Sequence, residues 1–364
     1  MNTPPVRRHR KATIKDIAER AGVSVTTVSH FQSGRAGVCS AETAERLREA
    51  IAHLQYTPNS LSRSLRIGST RTLGISVGRP ARGKDPEFSF IERLWRGIDS
   101  ATDEAEYSQL YYPASVRYGA SLDPFLDGRI DGLILAPSIY DKRPAKIATL
   151  KMPLVLVNWS GALPDECGTV YANEHDTVNL AMSHLWSLGH RRIAHVSGPV
   201  EPTQETTELA GAPSIVAQTR RDGYIAWMRA RNLYDPDLYL NANSWFGRVG
   251  KPLIRERFAQ WMRLSSPPTA VFCANDALAI EVIHAAQAHG LDVPRQLSVV
   301  GVDNQIEGLL LKPRLTSIVI PAEEIGRELV KAMLNLMAGA PVEDCRKVLR
   351  VTNLEVGAST APLT

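Results

Sequence analysis

His184, His190 and His195 are the first residues of this 364-residue chain whose type suggests metal chemistry. Their spacings of six and five residues put no two of them on one helical face, and His190 follows Gly189 at a helix end. Structural imidazoles are therefore expected, and no metal. Cys39, Cys167, Cys273 and Cys345 are widely scattered, which suits unpaired thiols in a reducing compartment. No G-x-S-x-G elbow, no G-x-G-x-x-G before a helix and no Cys–His–Asp set stands out. An enzyme and a cofactor are both disfavoured. A different chemistry is left in GVSVTTVSHFQSGR, residues 22–35. It is rich in hydroxyls, holds one imidazole, and has no Lys or Arg from Val23 to Gly34. Short uncharged side chains of this kind can discriminate base edges, but they cannot supply attraction to a polyanion.

The attraction has another source. Arg7, Arg8, Arg10, Lys11, Lys15, Arg35, Arg63 and Arg66 flank the segment. Residues 1–71 hold 12 Lys and Arg against 5 Asp and Glu, a net of +7; the other 293 residues hold 30 against 33, a net of −3. A basic head on a near-neutral body suggests that the head meets an anion and the body does not. With 44% hydrophobic and 22% charged residues, the composition is that of a soluble globular protein. No apolar run reaches the roughly 18–20 residues of a membrane span. MNTPPVRRHRKAT is basic, but no apolar segment follows it, so no secretory signal is expected and the location expected is cytoplasmic.

The elements that must position these residues are legible in outline. TIKDIAERAG opens on Thr13 with Asp16 three residues on, a capping-box spacing, and Gly22 ends the helix. Ser24 can cap a second helix bearing Val25 and Val28, and Ser40 a third with Ala44, Leu47, Ile51 and Leu54 as its apolar stripe. In YTPNSLSRSLRIGSTRT, Asn59 can cap a short helix in which Leu61 and Leu65 share a face. About eight residues make too short a helix to stand alone, so it needs something to pack against. From Thr72, apolar runs such as TLGISV, DGLILAP, PLVLVNW, TAVFCAND and LSVVGVD alternate with amphipathic helical stretches. That alternation, over nearly 300 residues, predicts parallel sheets flanked by helices in two lobes.

TIKDIAERAGVSVTTVSHFQSG followed by TAERLREAIAHLQYTPNSLSRSL resembles the headpiece and hinge of the LacI family of transcription regulators. FLDGRIDGLILAP, HLWSLGHRRIAHVSG, RRDGY, PPTAVFCANDALAI, GLDVPRQLSVVGVDN and PRLTSI resemble that family's core, in the same order, over about residues 12–357. The resemblance implies an all-α helix-turn-helix headpiece plus an α/β periplasmic-binding-protein-like core of two doubly wound parallel-sheet lobes. The boundaries expected are 1–58 for the headpiece, 59–71 for the hinge helix and linker, and 72–364 for the core. Within the core, the N-lobe is expected over 72–171 and 320–339, and the C-lobe over 172–319 and 340–364.

By position, Val25, Thr26 and His30 match the residues that face base edges in the family. His30 departs from the Arg usual there and offers one hydrogen bond where Arg would give a bidentate contact to guanine. Thr13, Ser24, Ser29 and Asn59 are expected at phosphates, with helix capping as the alternative use of their side chains. Leu65, with Ser62 and Arg63 beside it, matches the hinge leucine that wedges the minor groove; docking a linker onto the core is the alternative. In the core, Asn158, Arg220, Trp245, Asn275 and Asp303 match the effector contacts. An indole platform with amides, an Arg and an Asp suits a sugar or sugar derivative more than an anionic metabolite. Asp276 can instead orient backbone, and Arg220 can pair with Asp303. The stretch 199–219 is longer than the family's and makes Arg221 a rival to Arg220.

The resemblance thus implies a repressor, a homodimer on a pseudopalindromic double-stranded DNA operator, controlled by a carbohydrate effector, with no membrane partner. A terminal leucine-heptad coiled coil is absent. A sugar-binding protein for transport or chemoreception on the same lobes is the alternative, disfavoured by the basic head.

Overall fold

The computed structural model describes residues 12–32, 39–56, 68–78, 89–113, 121–137, 143–149, 151–200 and 214–364. Two compact units are present, Met1–Thr70 and Arg71–Thr364. In the first, α1 (Ile14–Ala21), α2 (Val25–Gln32) and α3 (Ala41–His53) enclose Ile17, Ala18, Ala21, Val28, Leu47 and Ala50. The caps form as the spacing predicts. Thr13 N–H donates to Asp16 Oδ2 at 2.7 Å, Asp16 N–H returns to Thr13 Oγ1 at 3.4 Å, and Gly22 closes α1 at φ 64°. Ser24 and Ser40 accept from the Thr27 and Thr43 N–H groups at 3.0 and 3.2 Å. Each bond satisfies a donor that a helix start leaves without an intrahelical partner. The expected hinge residues Asn59, Ser62, Arg63 and Leu65 lie outside the described residues, as do Arg7, Arg8, Arg10, Lys11, Arg35 and Arg66.

The second unit holds two six-stranded sheets. The first is built from β1 (Thr72–Ser76), β2 (Ser108–Tyr111), β3 (Gly132–Leu135), β4 (Leu154–Val157), β5 (Cys167–Ala172) and β11 (Arg346–Leu349), in the order β11-β5-β4-β3-β1-β2. The second is built from β6 (Ile193–Ser197), β7 (Tyr239–Asn241), β8 (Ala270–Cys273), β9 (Ser298–Val302), β10 (Thr316–Val319) and β12 (Asn353–Glu355), in the order β12-β10-β9-β8-β6-β7. Every pairing is parallel except that of β12 with β10. Both orders reverse direction at one point, between β1 and β3 and between β6 and β8. Ligands of doubly wound sheets bind at the strand C-termini beside such reversals.

Three short crossings join the lobes. Asn173 leads from β5 into α7 (Glu174–Ser187), residues 320–321 lead from β10 into α12 (Ala322–Met337), and residues 350–352 lead from β11 into β12. The first and third are tied together. Asn173 N–H donates to Leu349 O at 2.8 Å, and Arg350 Nε donates to Asp176 Oδ2 at 2.6 Å. The C-lobe boundary expected at 340 is corrected here. β11 pairs with β5 in the first sheet, so the chain returns to the N-lobe before its last crossing. Four-residue RKVL carries too little pattern to reveal which sheet it joins. In the first lobe, α4 (Ser89–Glu104) and α12 meet through glycine. A Cβ on Gly97 would lie 2.0 Å from Glu323 O, and one on Gly326 2.2 Å from Leu94 O. The remaining helices are α5 (Asp123–Leu126), α6 (Arg143–Thr149), α8 (Ile215–Arg229), α9 (Gly247–Trp261), α10 (Asp276–Ala288) and α11 (Ile306–Leu310). Residues 357–363 pass from the second sheet, where Val299 N–H donates to Ser359 O, to the end of α7, where Leu363 N–H donates to Leu188 O.

Candidate functional site

The first candidate surface is one face of α2. Val28 turns fully inward, while Ser24, Val25 and Thr26 are exposed and Ser29 and His30 half-buried. Val25 pairs with Ser29, and Thr26 with His30, at i, i+4, so all four share one side of the helix. Val25 is 41% exposed and takes no part in the headpiece core. An apolar side chain left outward beside hydroxyls suits contact with a thymine methyl. Thr13 and Ser24 are exposed but already engaged. Thr13 Oγ1 donates to Asp16 Oδ2 at 2.8 Å, and Ser24 Oγ shares a 2.9 Å bond with Thr27 Oγ1. A phosphate contact from either must share its hydroxyl with the cap.

The second candidate site lies at the C-terminal end of the second sheet, around the β6–β8 reversal. Gly198 follows β6, Trp245 follows β7, Asn275 follows β8 and Asp303 follows β9. Three of these strand ends thus bring a side chain to one edge, and the fourth brings bare backbone. A Cβ on Gly198 would meet the Trp245 ring at 2.8 Å, so the backbone of β6 packs directly on the indole. Asn275 Nδ2 donates to Trp245 O at 2.7 Å while its Oδ1 caps α10 through Leu278 N–H at 3.0 Å. Asn275 therefore holds the Trp245 loop in place.

Arg220 reaches this edge from α8. It is 3% exposed; Arg221 is half-buried, its Nε on Asp222 Oδ1 at 2.8 Å. Burial thus distinguishes the two, with Arg220 the one turned inward to this edge. Ser214 N–H donates to Pro199 O at 3.0 Å, which brings Pro199 beside the residue that caps α8. Arg220 Nε and Nη2 both donate to Glu174, at 2.6 and 3.1 Å, Nη1 donates to Ala274 O at 2.5 Å, and the guanidinium carbon lies 5.9 Å from the Trp245 ring centroid. The partner is Glu174, not the Asp303 that the sequence offered as an alternative. Burial opposes the charge on Arg220, yet Glu174, Asp303 and Asp276 hold its pKa above the ordinary value.

Asp303 has a positive φ of 97° and is half-buried. Burial pushes its carboxyl above the usual range, against the pull of Arg220 and Arg93. Arg93, on α4 of the other lobe, donates through Nη2 to Asp303 O, so this turn is held from across the cleft. Asp276 orients backbone. Its Oδ2 accepts from Gln305 N–H and its Oδ1 from Ser317 Oγ, both at 2.7 Å. Asn158 ends β4 of the first sheet at φ 50°, and among the described residues no hydrogen bond joins it to the other four. Glu174, Arg93 and Gly198 were not foreseen. Glu174 reads as a surface acid in a first helical turn, and only the packing of α7 against α8 reveals that it is buried.

The histidines are held by protein groups. His190 meets Thr269 Oγ1 and Ser298 Oγ at 3.0 Å each, and His184 meets Thr360 Oγ1 at 3.0 Å. His195 is wholly buried, stacks on Tyr224 and Phe272, and donates from Nδ1 to Phe272 O at 2.8 Å; burial pushes its pKa down to about 3. A neutral ring fixed in this way supports the packing of the second sheet.

A three-helix unit with an outward uncharged reading face, followed by two lobes whose strand ends converge on a cleft, defines a DNA-binding regulator with a ligand site. Residues 13–59 match the model for bacterial regulatory proteins of the lacI family, and residues 182–360 that for the periplasmic binding protein-like domain. The chain belongs to the LacI family. It is 28% identical to the ribose operon repressor of Escherichia coli (strain K12) over 353 residues, 96% of this chain and 100% of the relative. It is 29% identical to the HTH-type transcriptional repressor PurR of Erwinia tasmaniensis over 331 residues, 89% of this chain and 90% of the relative. A transcriptional regulator CelR–cellobiose complex superposes with a TM-score of 0.66 at 25% identity, over 96% of this chain and 99% of that one. The lac repressor dimer bound to operator and the anti-inducer ONPF superposes with a TM-score of 0.78 at 23% identity, over 97% and 100%, which shows the shared fold.

Proposed function

We propose that the protein is an operator-binding transcription repressor, a cytoplasmic homodimer whose DNA affinity is set by a sugar or sugar derivative held between its lobes. The observation that carries this reading is the convergence of Arg220, Trp245, Asn275 and Asp303 at one sheet edge in a chain that also bears a helix-turn-helix unit. An indole face beside fixed donors and acceptors suits the C–H face and hydroxyls of a sugar. The names of two relatives agree, since one is a ribose operon repressor and another is complexed with cellobiose. No catalytic role is assigned.

Val25, Thr26 and His30 read base edges in the major groove, and Thr13, Ser24, Ser29 and Asn59 contact phosphates. Leu65, flanked by Ser62 and Arg63, wedges the minor groove. The basic residues around the segment supply affinity, with log K falling by about 0.9 per log unit of salt for each phosphate neutralised. Two copies meet through an apolar face that includes α11, where Ile306 is 60% and Leu310 76% exposed. Ligand binding moves the lobes about their three crossings and changes the separation of the two hinges. DNA and effector then alter each other's affinity by the same factor.

The test is operator affinity, on a site chosen from randomised DNA, with and without a panel of sugars. A sugar that binds the core and shifts operator affinity supports the reading. If no core-binding ligand alters operator affinity, the coupling is wrong. Removing residues 1–71 is expected to abolish DNA binding and leave ligand binding intact; the transport alternative predicts that function survives the deletion.

A further inference from the structure

We propose that Glu174 sets the charge class of the ligand: by occupying the Arg220 fork it makes the cleft a site for uncharged polyols and closes it to sugar acids and sugar phosphates. The inference rests on the effector reading above. A buried guanidinium over an indole is ordinarily a receptor for a carboxylate or phosphate, because its two parallel N–H groups match two anionic oxygens. Here both arms of that fork, Nε and Nη2, already hold the Glu174 carboxylate, whose side chain is 8% exposed against 4% for Arg220. Nη1 holds Ala274 O, so three of the five guanidinium N–H groups are in use. The two that remain can donate to hydroxyls without a change of charge.

An anionic ligand faces two unfavourable routes. It can displace Glu174 and strand a buried carboxylate, or it can sit among Glu174 and Asp303 and meet repulsion. Neighbouring cations do not offer an escape. Arg221 is bonded to Asp222, and Arg93 reaches the Asp303 carbonyl. The position of Glu174 is fixed by the fold. It is the first residue of α7, directly after the Asn173 cap, where the helix N-terminus favours a negative charge. Asn173 is also the first lobe crossing, so the residue that neutralises Arg220 is anchored in the segment about which the lobes move.

The test uses the full-length protein and calorimetric titration with matched probes: D-glucose, D-glucuronate and D-glucose 6-phosphate; D-galactose and D-galacturonate; D-ribose and D-ribose 5-phosphate. The wild type is expected to bind a neutral member more than about tenfold tighter than its charged counterpart, about 1.4 kcal/mol. Glu174→Gln is expected to erase or reverse that ratio, Glu174→Asp to keep it, and Glu174→Gln with Arg220→Gln to lose the charged-ligand binding so gained. A purely structural ion pair would change stability in these variants and leave the ratio alone. The proposal is overturned if the wild type binds a charged probe as tightly as its neutral partner, or if Glu174→Gln leaves the ratio unchanged. If the wild type binds no probe, the sugar reading falls, and the charge inference is decided by whether Glu174→Gln gains glucuronate, galacturonate or phosphate binding. If Glu174→Gln does not fold, the wild-type and Glu174→Asp ratios decide.

Discussion

At the scale of single residues, function is divided between side chains that read and side chains that hold. Asn275 shows how the two merge. Its carbonyl caps α10 and its amide tethers the loop of Trp245, so much of its hydrogen-bonding capacity is used before any ligand arrives. His30 is the proposed base reader, half-buried on the outward side of α2, one turn from Thr26. A single imidazole gives one directed bond to a base edge, whereas an arginine grips guanine with two. His30→Arg is therefore expected to shift operator preference toward guanine at one position in each half-site, by about 1–3 kcal/mol of discrimination. Selection from randomised DNA measures this, and an unchanged preference shows that His30 faces no base. Only the family resemblance singled out His30, Thr26 and Arg220 as candidates. Glu174 was not singled out, because nothing in NEHDT distinguishes a buried acid from a solvated one.

At the scale of elements, the second sheet works as a platform whose strand ends must stay in register. β9 runs into the Asp303 turn, and that turn is held from below by Asp276 through Gln305 N–H and Ser317 Oγ. The bonds need room beside β9, and Gly301 gives it. A Cβ there would stand 2.1 Å from Asp276 Oδ1 and 3.0 Å from Leu315 Cδ2. The carboxylate cannot retreat without giving up both bonds. Gly301→Ala is expected to destabilise the core by about 1–3 kcal/mol, read as a lower urea midpoint, and to weaken ligand binding. An unchanged midpoint means that Asp276 shifts freely and does not support the turn. The caps of α1, α2 and α3 were readable because they depend on residues three apart. The Asp276 network joins α10, β10 and the segment after β9, and no local pattern reports it.

At the scale of the molecule, two similar sheets share three crossings, and the proposed control of DNA affinity requires that a movement at the cleft reach the start of the core. A monomer gives such a movement no second hinge to work against. The apolar α11 face offers the surface for a second copy, since Ile306, Leu309 and Leu310 remain outward on five residues of helix. Leu310→Glu is expected to convert the dimer to a monomer at micromolar concentration and to weaken operator binding while ligand affinity stays nearly unchanged. Analytical ultracentrifugation checks the first outcome, and a variant that sediments as a dimer removes α11 from the interface.

The sequence by itself determined the basic head, the three capped helices, the strand–helix alternation and the strand ends that carry Asn275 and Asp303. These follow from nearest neighbours: caps, periodicity, and polar residues placed just after apolar runs. Only the tertiary structure decided that β11 returns to the first sheet, that Val25 faces outward, and that Arg220 pairs with Glu174. Each of these depends on which surfaces are buried against each other at long sequence separation. Burial also decides whether a charge is solvated, paired or left for a ligand.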